Sequence, residues 1–460
     1  MSNARTKHTF FFFLLLACFT FSNAQAGLIF EFHPFFAPEA QYNDNIYQTR
    51  SDTRSDWITT ISPGFITSLA HPRLNIELEY KPGFVYFLHN PQHDYTSQEV
   101  NFNGTFELTP QLTFSLSQSY LRDIDLELDE MVDTDYERSL RRETLSIYNR
   151  NVITPQLEYR FGRENAIRLY YRNTAFRSDD HFEDDYRESF VGSELEYWFN
   201  VRNGINLSCH FTKGNFDIDT DLLNHVDITA RYIRRFTPHF ELYGEYGAGA
   251  TDFEERRFFE RLDARREFQV GSEDVEDYDL RKFNVGFAWQ LPQNFQIEGS
   301  MGYFWKNGSG NRDDQGITTL LEIEKSLEDL TLSLNWESGY SASYFAVSDS
   351  GFSEFWRLST NLTYNYLDKL EFRCNGSYGY EEFKETRLGS GLIEEELTGE
   401  EREEYTYAAG IVFTYHIIKN YLFLNDLSFE MEFRHIELDS DLDTQYYINN
   451  QYTLRLTATF

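Results

Sequence analysis

The chain has 460 residues, with 75 acids against 41 lysines and arginines, a formal net charge of -34 that argues against nucleic acid or another polyanion as a partner of the chain as a whole. Aromatic residues make up 17% of it, yet the mean hydropathy is -0.55. So aromatic and so polar a chain does not hide its apolar surface in one ordinary core, and no later run is long enough for a membrane helix.

The first 26 residues read as an export signal. Arg5, Lys7 and His8 form a basic start, Thr9 to Phe21 are almost wholly apolar, and Ala24-Gln25-Ala26 offers the small residues a signal peptidase reads. The apolar run falls short of the roughly 20 residues of a membrane helix. Cleavage after Ala26 leaves Gly27 first and takes the charge to -36. A rival, lipoprotein-like cut at Leu15-Leu16-Ala17-Cys18 would lipidate Cys18, but it leaves an apolar flank where a polar linker is usual. The other cysteines, Cys209 and Cys374, are too far apart in context to form a framework and are expected as small outward-facing strand residues.

From there the sequence alternates. Leu74, Ile76, Leu78 and Tyr80 interleave with Asn75, Glu77, Glu79 and Lys81. The same period of two runs through Leu112–Ser117, through Phe295, Ile297, Gly299, Met301, Tyr303 and Trp305, and through Leu330–Trp336. Period two places residues on opposite faces of a strand, and no comparable helical period occurs.

Connectors alternate in length. Short ones fall at 71–72, 109–110, 161–165, 201–204, 237–238, 291–294, 327–329, 367–369 and 418–420. Long polar ones fall near 48–55, 90–97, 123–140, 178–185, 217–224, 254–277, 307–315, 346–353, 386–403 and 438–444. Nine short turns and ten long loops predict 20 antiparallel strands, with 18 or 22 as fallbacks because the first strand and residues 123–160 are ambiguous. That is the asymmetry of an outer-membrane up-and-down β-barrel in a Gram-negative bacterium, with tight periplasmic turns, long external loops and both termini periplasmic. A single barrel over 27–460 is expected, with no plug, passenger or repeat domain.

Tyr452, Leu454, Leu456, Ala458 and the final Phe460 share one face. Such a strand resembles the signal read by the outer-membrane barrel assembly machinery, which makes that machinery an expected partner beside membrane lipid and lipopolysaccharide.

By parity, the polar face carries Glu77, Glu79, Lys81, Arg168, Arg172, Glu194, Glu196, Arg231, Glu298, Glu322, Glu324, Glu371, Arg373, Glu430, Glu432, Arg434 and Arg455. Charges are reasonable there only if that face meets water. A water-filled pore lining and a salt-bridged, rigidifying interior fit equally well. The opposite face is assigned to lipid, with Tyr80, Trp289, Trp305 and Trp356 as interface girdles; Trp198 falls on the polar face.

The long loops hold most of the acid: eight acids in 123–137, eleven in 252–279 and ten in 381–404. Alternate aspartates, Asp123 and Asp125, Asp217, Asp219 and Asp221, and Asp439, Asp441 and Asp443, suit Ca²⁺ or Mg²⁺ and could bridge to lipopolysaccharide phosphates. None completes a calcium-loop pattern, and solvated strand extensions explain them more cheaply. His210, His239, His416 and His435 have no partner at metal or triad spacing, so no enzyme and no cofactor is expected.

Pro38-Glu-Ala-Gln-Tyr42-Asn43-Asp44-Asn45-Ile46-Tyr47, Ser62-Pro63-Gly64-Phe65 with Arg73–Tyr80, and Val152–Gly162 resemble segments of the porin-like outer-membrane β-barrel proteins associated with PEP-CTERM and exopolysaccharide systems. In that family a Y-x-D-N element closes the first strand and an S-P-G element sits in the second. The resemblance implies a barrel linked to envelope polysaccharide export and brings no site residue. Two functions stay open: a porin-like channel for exopolysaccharide or small polar or cationic solutes, and a structural or surface-interaction barrel working through acidic loops.

Overall fold

The computed structural model describes residues 27–124, 145–179, 185–216, 222–253, 277–308, 313–343, 351–367, 369–383, 402–421, 423–441 and 446–460. The export signal lies outside them. Twenty strands follow in chain order. They are β1 (Ile29–Asn43), β2 (Asp56–His71), β3 (Leu74–Phe87), β4 (Tyr95–Thr109), β5 (Leu112–Asp123), β6 (Tyr148–Arg160) and β7 (Ala166–Ser178). Next come β8 (Tyr186–Asn200), β9 (Asn203–Phe216), β10 (Leu222–Thr237), β11 (Phe240–Phe253), β12 (Tyr278–Leu291), β13 (Phe295–Gly308) and β14 (Asp314–Ser326). The last are β15 (Leu330–Ser343), β16 (Gly351–Tyr366), β17 (Leu370–Phe383), β18 (Arg402–Tyr421), β19 (Leu424–Ser440) and β20 (Tyr447–Thr459).

Each strand pairs antiparallel with its chain neighbours, and β1 pairs both β2 and β20, so the sheet closes. Closure removes the edges that an open sheet of alternating strands would expose. With strands about 4.8 Å apart and tilted by about 40°, 20 of them give a backbone diameter of about 40 Å. Facing side chains cannot fill that width. All the short turns lie at one end, together with Gly27 and Phe460; the long loops leave from the other. Short-turn geometry uses left-handed backbone at Gly162, Gln293, Asn294 and Leu367, with φ of 83°, 66°, 54° and 52°.

One turn differs from expectation. Residues 418–420 read as a turn, but β18 continues to Tyr421, and β19 begins at Leu424. A bulge between His416 and Ile418 takes up the extra residue, and Lys419 pairs with Asp426 beyond it. The insertion breaks the period of two, so the pattern stops where the ladder goes on.

The segments that carried the family resemblance have packing roles. Asn45, only 1% exposed, clasps the seam: its Nδ2 donates to Thr49 O (2.8 Å) and Ile448 O (2.9 Å), and its Oδ1 accepts from Thr49 N (3.1 Å). Asn449 Nδ2 donates to Asn45 O (2.9 Å), while Asp44 accepts from both the backbone and side chain of Asn450 (2.7 Å each). Pro63 and Pro82 lie opposite each other in β2 and β3, where the ladder is interrupted between Ile61↔Phe84 and Phe65↔Tyr80. Neither has an N–H to donate. Between them the Phe35 ring lies on Gly64, where a Cβ would come within 2.6 Å of Tyr80 O.

Candidate functional site

The concave face is identified by contacts between strands two apart, which only inward curvature brings together. Tyr170 on β7 reaches His210 on β9 (3.0 Å), Thr318 on β14 donates to Asn284 on β12 (2.6 Å), and Tyr243 on β11 donates to Glu298 on β13 (3.4 Å). Following the register from these residues puts every charged candidate on the same interior face, Glu77 to Arg455 alike. The opposite face exposes Phe36, Phe114, Leu169, Val191, Val285, Met301 and Leu332. Cys209 and Cys374 lie on that outward side as free thiols.

The interior charges form three kinds of group. At the closing seam, Arg455 binds Glu39 (Nε–Oε2, 2.7 Å) and Glu430 (Nη1–Oε1, 2.9 Å), joining β1, β20 and β19. Arg373 continues the chain to Glu430 (3.6 Å) and Glu371 (2.9 Å). Glu432 and Arg434 lie on the same face of β19, opposite Thr453 and Gln451.

A second network spans β6 to β12. Arg168 takes Glu158 (2.9 Å), Glu194 (3.5 Å) and Glu196 (3.8 Å), and Tyr170 donates to Glu194 (3.2 Å). Arg172 pairs with Glu188 (2.8 Å), and Arg231 with Glu245 (2.7 Å), which also accepts from Asn284 (3.3 Å). Trp198 is interior, as its parity predicts: its indole donates to Glu196 (3.2 Å) and Arg235 stacks 4.0 Å above the ring.

The third group is acid without a cation. Glu298 and Glu322 face each other across β13–β14 beside Glu324, and none of the three is in an ion pair among the described residues. Glu77 and Glu79 sit opposite Asn103 and Asn101, next to the Lys81–Glu99 pair (3.3 Å). The counter-ions Glu39, Glu158, Glu188 and Glu245 were missed by the sequence reading. They lie across or diagonally across the ladder from their arginines, and register is not written in any one strand.

Toward the long-loop end the interior changes character. Val85, Phe87, Tyr148, Phe176, Tyr186, Leu223, Tyr278, Leu280, Phe304, Ile436 and Tyr447 are all inward by register and all buried. They make an apolar collar inside the mouth, in which Tyr148, Phe176 and Tyr186 stack in sequence at 5.7 and 5.1 Å. The inward face, expected to be polar throughout, is therefore apolar at this end. There most of the inward apolar residues pack on one another in three clusters.

The hairpin of β15 and β16 narrows that mouth. Tyr340 and Phe352 share a strand side with the outward Leu332 and Tyr364. Yet they pack on the inward Phe304, at 4.9 and 5.8 Å between centroids. The pairing of β15 with β14 ends at Thr319↔Ser338, and a Cβ on inward Gly316 would stand 3.0 Å from Glu354 Oε2. The end of the hairpin thus leans inside the wall made by β12–β14, with Lys306 held 4.5 Å over the Phe352 ring.

Tyr452, Leu454, Leu456 and Ala458 face outward, and Phe460 closes the strand through its N–H to Pro34 O (2.8 Å) and a ring contact with Phe423 (6.2 Å). Trp289 and Trp305 are outward and exposed, while Trp356 stacks on Trp336 at 5.5 Å. Of the paired aspartates, Asp217, Asp219, Asp221, Asp125 and Asp443 lie outside the described residues. Asp439 is outward on β19, and Asp441 follows the strand end, where its N–H donates to Glu403 O (3.3 Å). Among the described residues no three ligand side chains gather as a metal site.

No family model and no curated protein matches this chain. Solved structures do, at low identity. The siderophore receptor PirA from Acinetobacter baumannii is 9% identical with a TM-score of 0.48, over 94% of this chain and 80% of that one. The outer membrane protein opdK from Pseudomonas aeruginosa is 9% identical with a TM-score of 0.40, over 94% and 99%. OccK2 (OpdF) from the same species, solved with glucuronate, is 9% identical with a TM-score of 0.42, over 95% and 100%.

Proposed function

We propose that the chain is an outer-membrane β-barrel channel, with the short turns and both termini in the periplasm and the long loops outside. The observation that carries it is the segregation of its two faces: ion pairs and lone carboxylates inward, exposed Phe, Leu, Val and Met outward. Only a wall with lipid on one side and water on the other stabilises both. No helix among the described residues is long and apolar enough to cross a membrane, so crossing falls to the strands. The interior acids without cations make cations the favoured solute. Reconstituted in planar bilayers, the folded protein should give discrete, cation-selective conductance steps. Silent bilayers with protein of heat-modifiable migration would sink the channel.

The buried apolar collar and inward hairpin favour a second reading, a barrel closed at its outer mouth that works through its surface. That reading predicts the silent bilayer. Passage of an exopolysaccharide is a finer version of the first. It rests on the resemblance of segments that here serve as a seam clasp and a tight packing point, and block of the current by polysaccharide fragments would support it.

A further inference from the structure

A chain of net charge -34 nonetheless groups four cations in one patch of its outer face. Arg122 and Arg177 are each one residue from the long-loop end of β5 and β7, Arg187 is second in β8, and Lys213 is near the end of β9. Register puts all four outward, on the sides that carry Phe114, Leu169, Val191 and Phe211 nearer the membrane centre. One unbroken row reads Gln98↔Arg122↔Asn149↔Arg177, and the next carries Asn151, Arg187 and Asn215.

Within the paired strands no acid stands in these rows; Asp179 and Asp185 flank Arg177 and Arg187 just beyond the strand ends, and none of the four cations is in an ion pair among the described residues. Arg177, Arg187 and Lys213 are exposed, and Arg122 Nε is buried with no hydrogen-bond partner among the described residues. The interior arginines, by contrast, are mostly paired. Outward acids collect on another sector, as Glu382, Glu403, Glu437 and Asp439 on β17–β19.

We propose that the outward face at the long-loop ends of β4–β9 docks the phosphate-bearing headgroup of an outer-leaflet glycolipid. These strands exceed the roughly 10 residues that span the hydrocarbon, so the patch stands directly beyond the apolar band, at headgroup depth. Cations there attract anionic lipid, and guanidinium groups bind phosphate through paired N–H donors. The interleaved amides supply donors and acceptors for sugar hydroxyls beside the phosphates.

The site rests on the outer-membrane reading above. Wild-type protein in phosphatidylethanolamine vesicles should bind added bisphosphorylated lipid A at least tenfold more tightly than its dephosphorylated form. Inorganic phosphate alone should neither bind nor compete at millimolar concentration. The variant carrying Arg122→Gln, Arg177→Gln, Arg187→Gln and Lys213→Gln should lose that preference. Replacing the three arginines by Lys should keep it, as should Glu437→Gln with Asp439→Asn on the acidic sector. A folded, inserted wild type that binds both lipids equally overturns the site alone, as does binding of inorganic phosphate with the same affinity. A wild type that never inserts or shows heat-modifiable migration overturns the membrane reading and the site together.

Discussion

At the scale of the residue, buried polar groups decide how the wall is locked. Asn45 satisfies Thr49 N–H and Ile448 C=O at the seam, and Asn45→Ala leaves both without a partner. Removing one side of a buried hydrogen bond costs about 1–3 kcal/mol. The urea midpoint of the folded barrel should fall accordingly, with an unchanged slope. Asp56 forms a comparable knot at the opposite side of the first long loop. Its burial pushes the carboxyl up, but hydrogen bonds from Asn90 Nδ2 (2.7 Å), His89 N (2.9 Å) and ring, and Trp57 N (2.7 Å) outweigh that and hold it below the usual carboxylate range. A carboxyl lowered in the folded state contributes stability that is fully present above the unfolded value of about 3.9. It is lost as pH falls through the lowered folded value. The stability difference between wild type and Asp56→Asn should therefore be constant at neutral pH and shrink only below about pH 4.

At the scale of the element, the end of the β15–β16 hairpin leaves the cylinder. Its inward lean is held by Tyr340 and Phe352 on Phe304, a hydrophobic cluster with Tyr278 and Leu280. Phe304→Ala combined with Phe352→Ala removes that hold, at about 3 kcal/mol or more for each buried ring. Single-channel conductance should then rise; an unchanged conductance would mean that the hairpin does not narrow the path. The terminal strand belongs to the same scale. Deleting Phe460 removes its hydrogen bond to Pro34 and its contact with Phe423, and should slow assembly into membranes in cells more than refolding in detergent.

At the scale of the whole molecule, the proposed channel would take its ion preference from the interior field. Arginines and glutamates that pair across strands largely cancel, and exposed pairs of this kind contribute only about 0–1 kcal/mol each to stability. The residual charge comes from acids such as Glu298 and Glu322. Glu298→Gln with Glu322→Gln should lower the cation-to-anion permeability ratio, read as a shift in reversal potential under a salt gradient, without changing the melting behaviour. Arg455→Gln should do the reverse on both counts. It frees Glu39 to the lumen and leaves Glu430 to Arg373 alone, raising cation preference, and it weakens the seam.

Strand number, the division into short and long connectors, and the side on which Glu77, Arg168 or Arg455 falls were all legible in the chain. Each depends on a period of two that a strand must obey locally. Ion-pair partners, the apolar collar and the inward hairpin were not. They depend on register and curvature, which set which residues of different strands stand side by side. The same alternation that marks Tyr340 and Phe352 as outward is overruled where β15 leaves β14, because packing on Phe304 then outweighs pairing. Period belongs to the strand and is carried by the sequence itself; adjacency belongs to the barrel and exists only once it has closed.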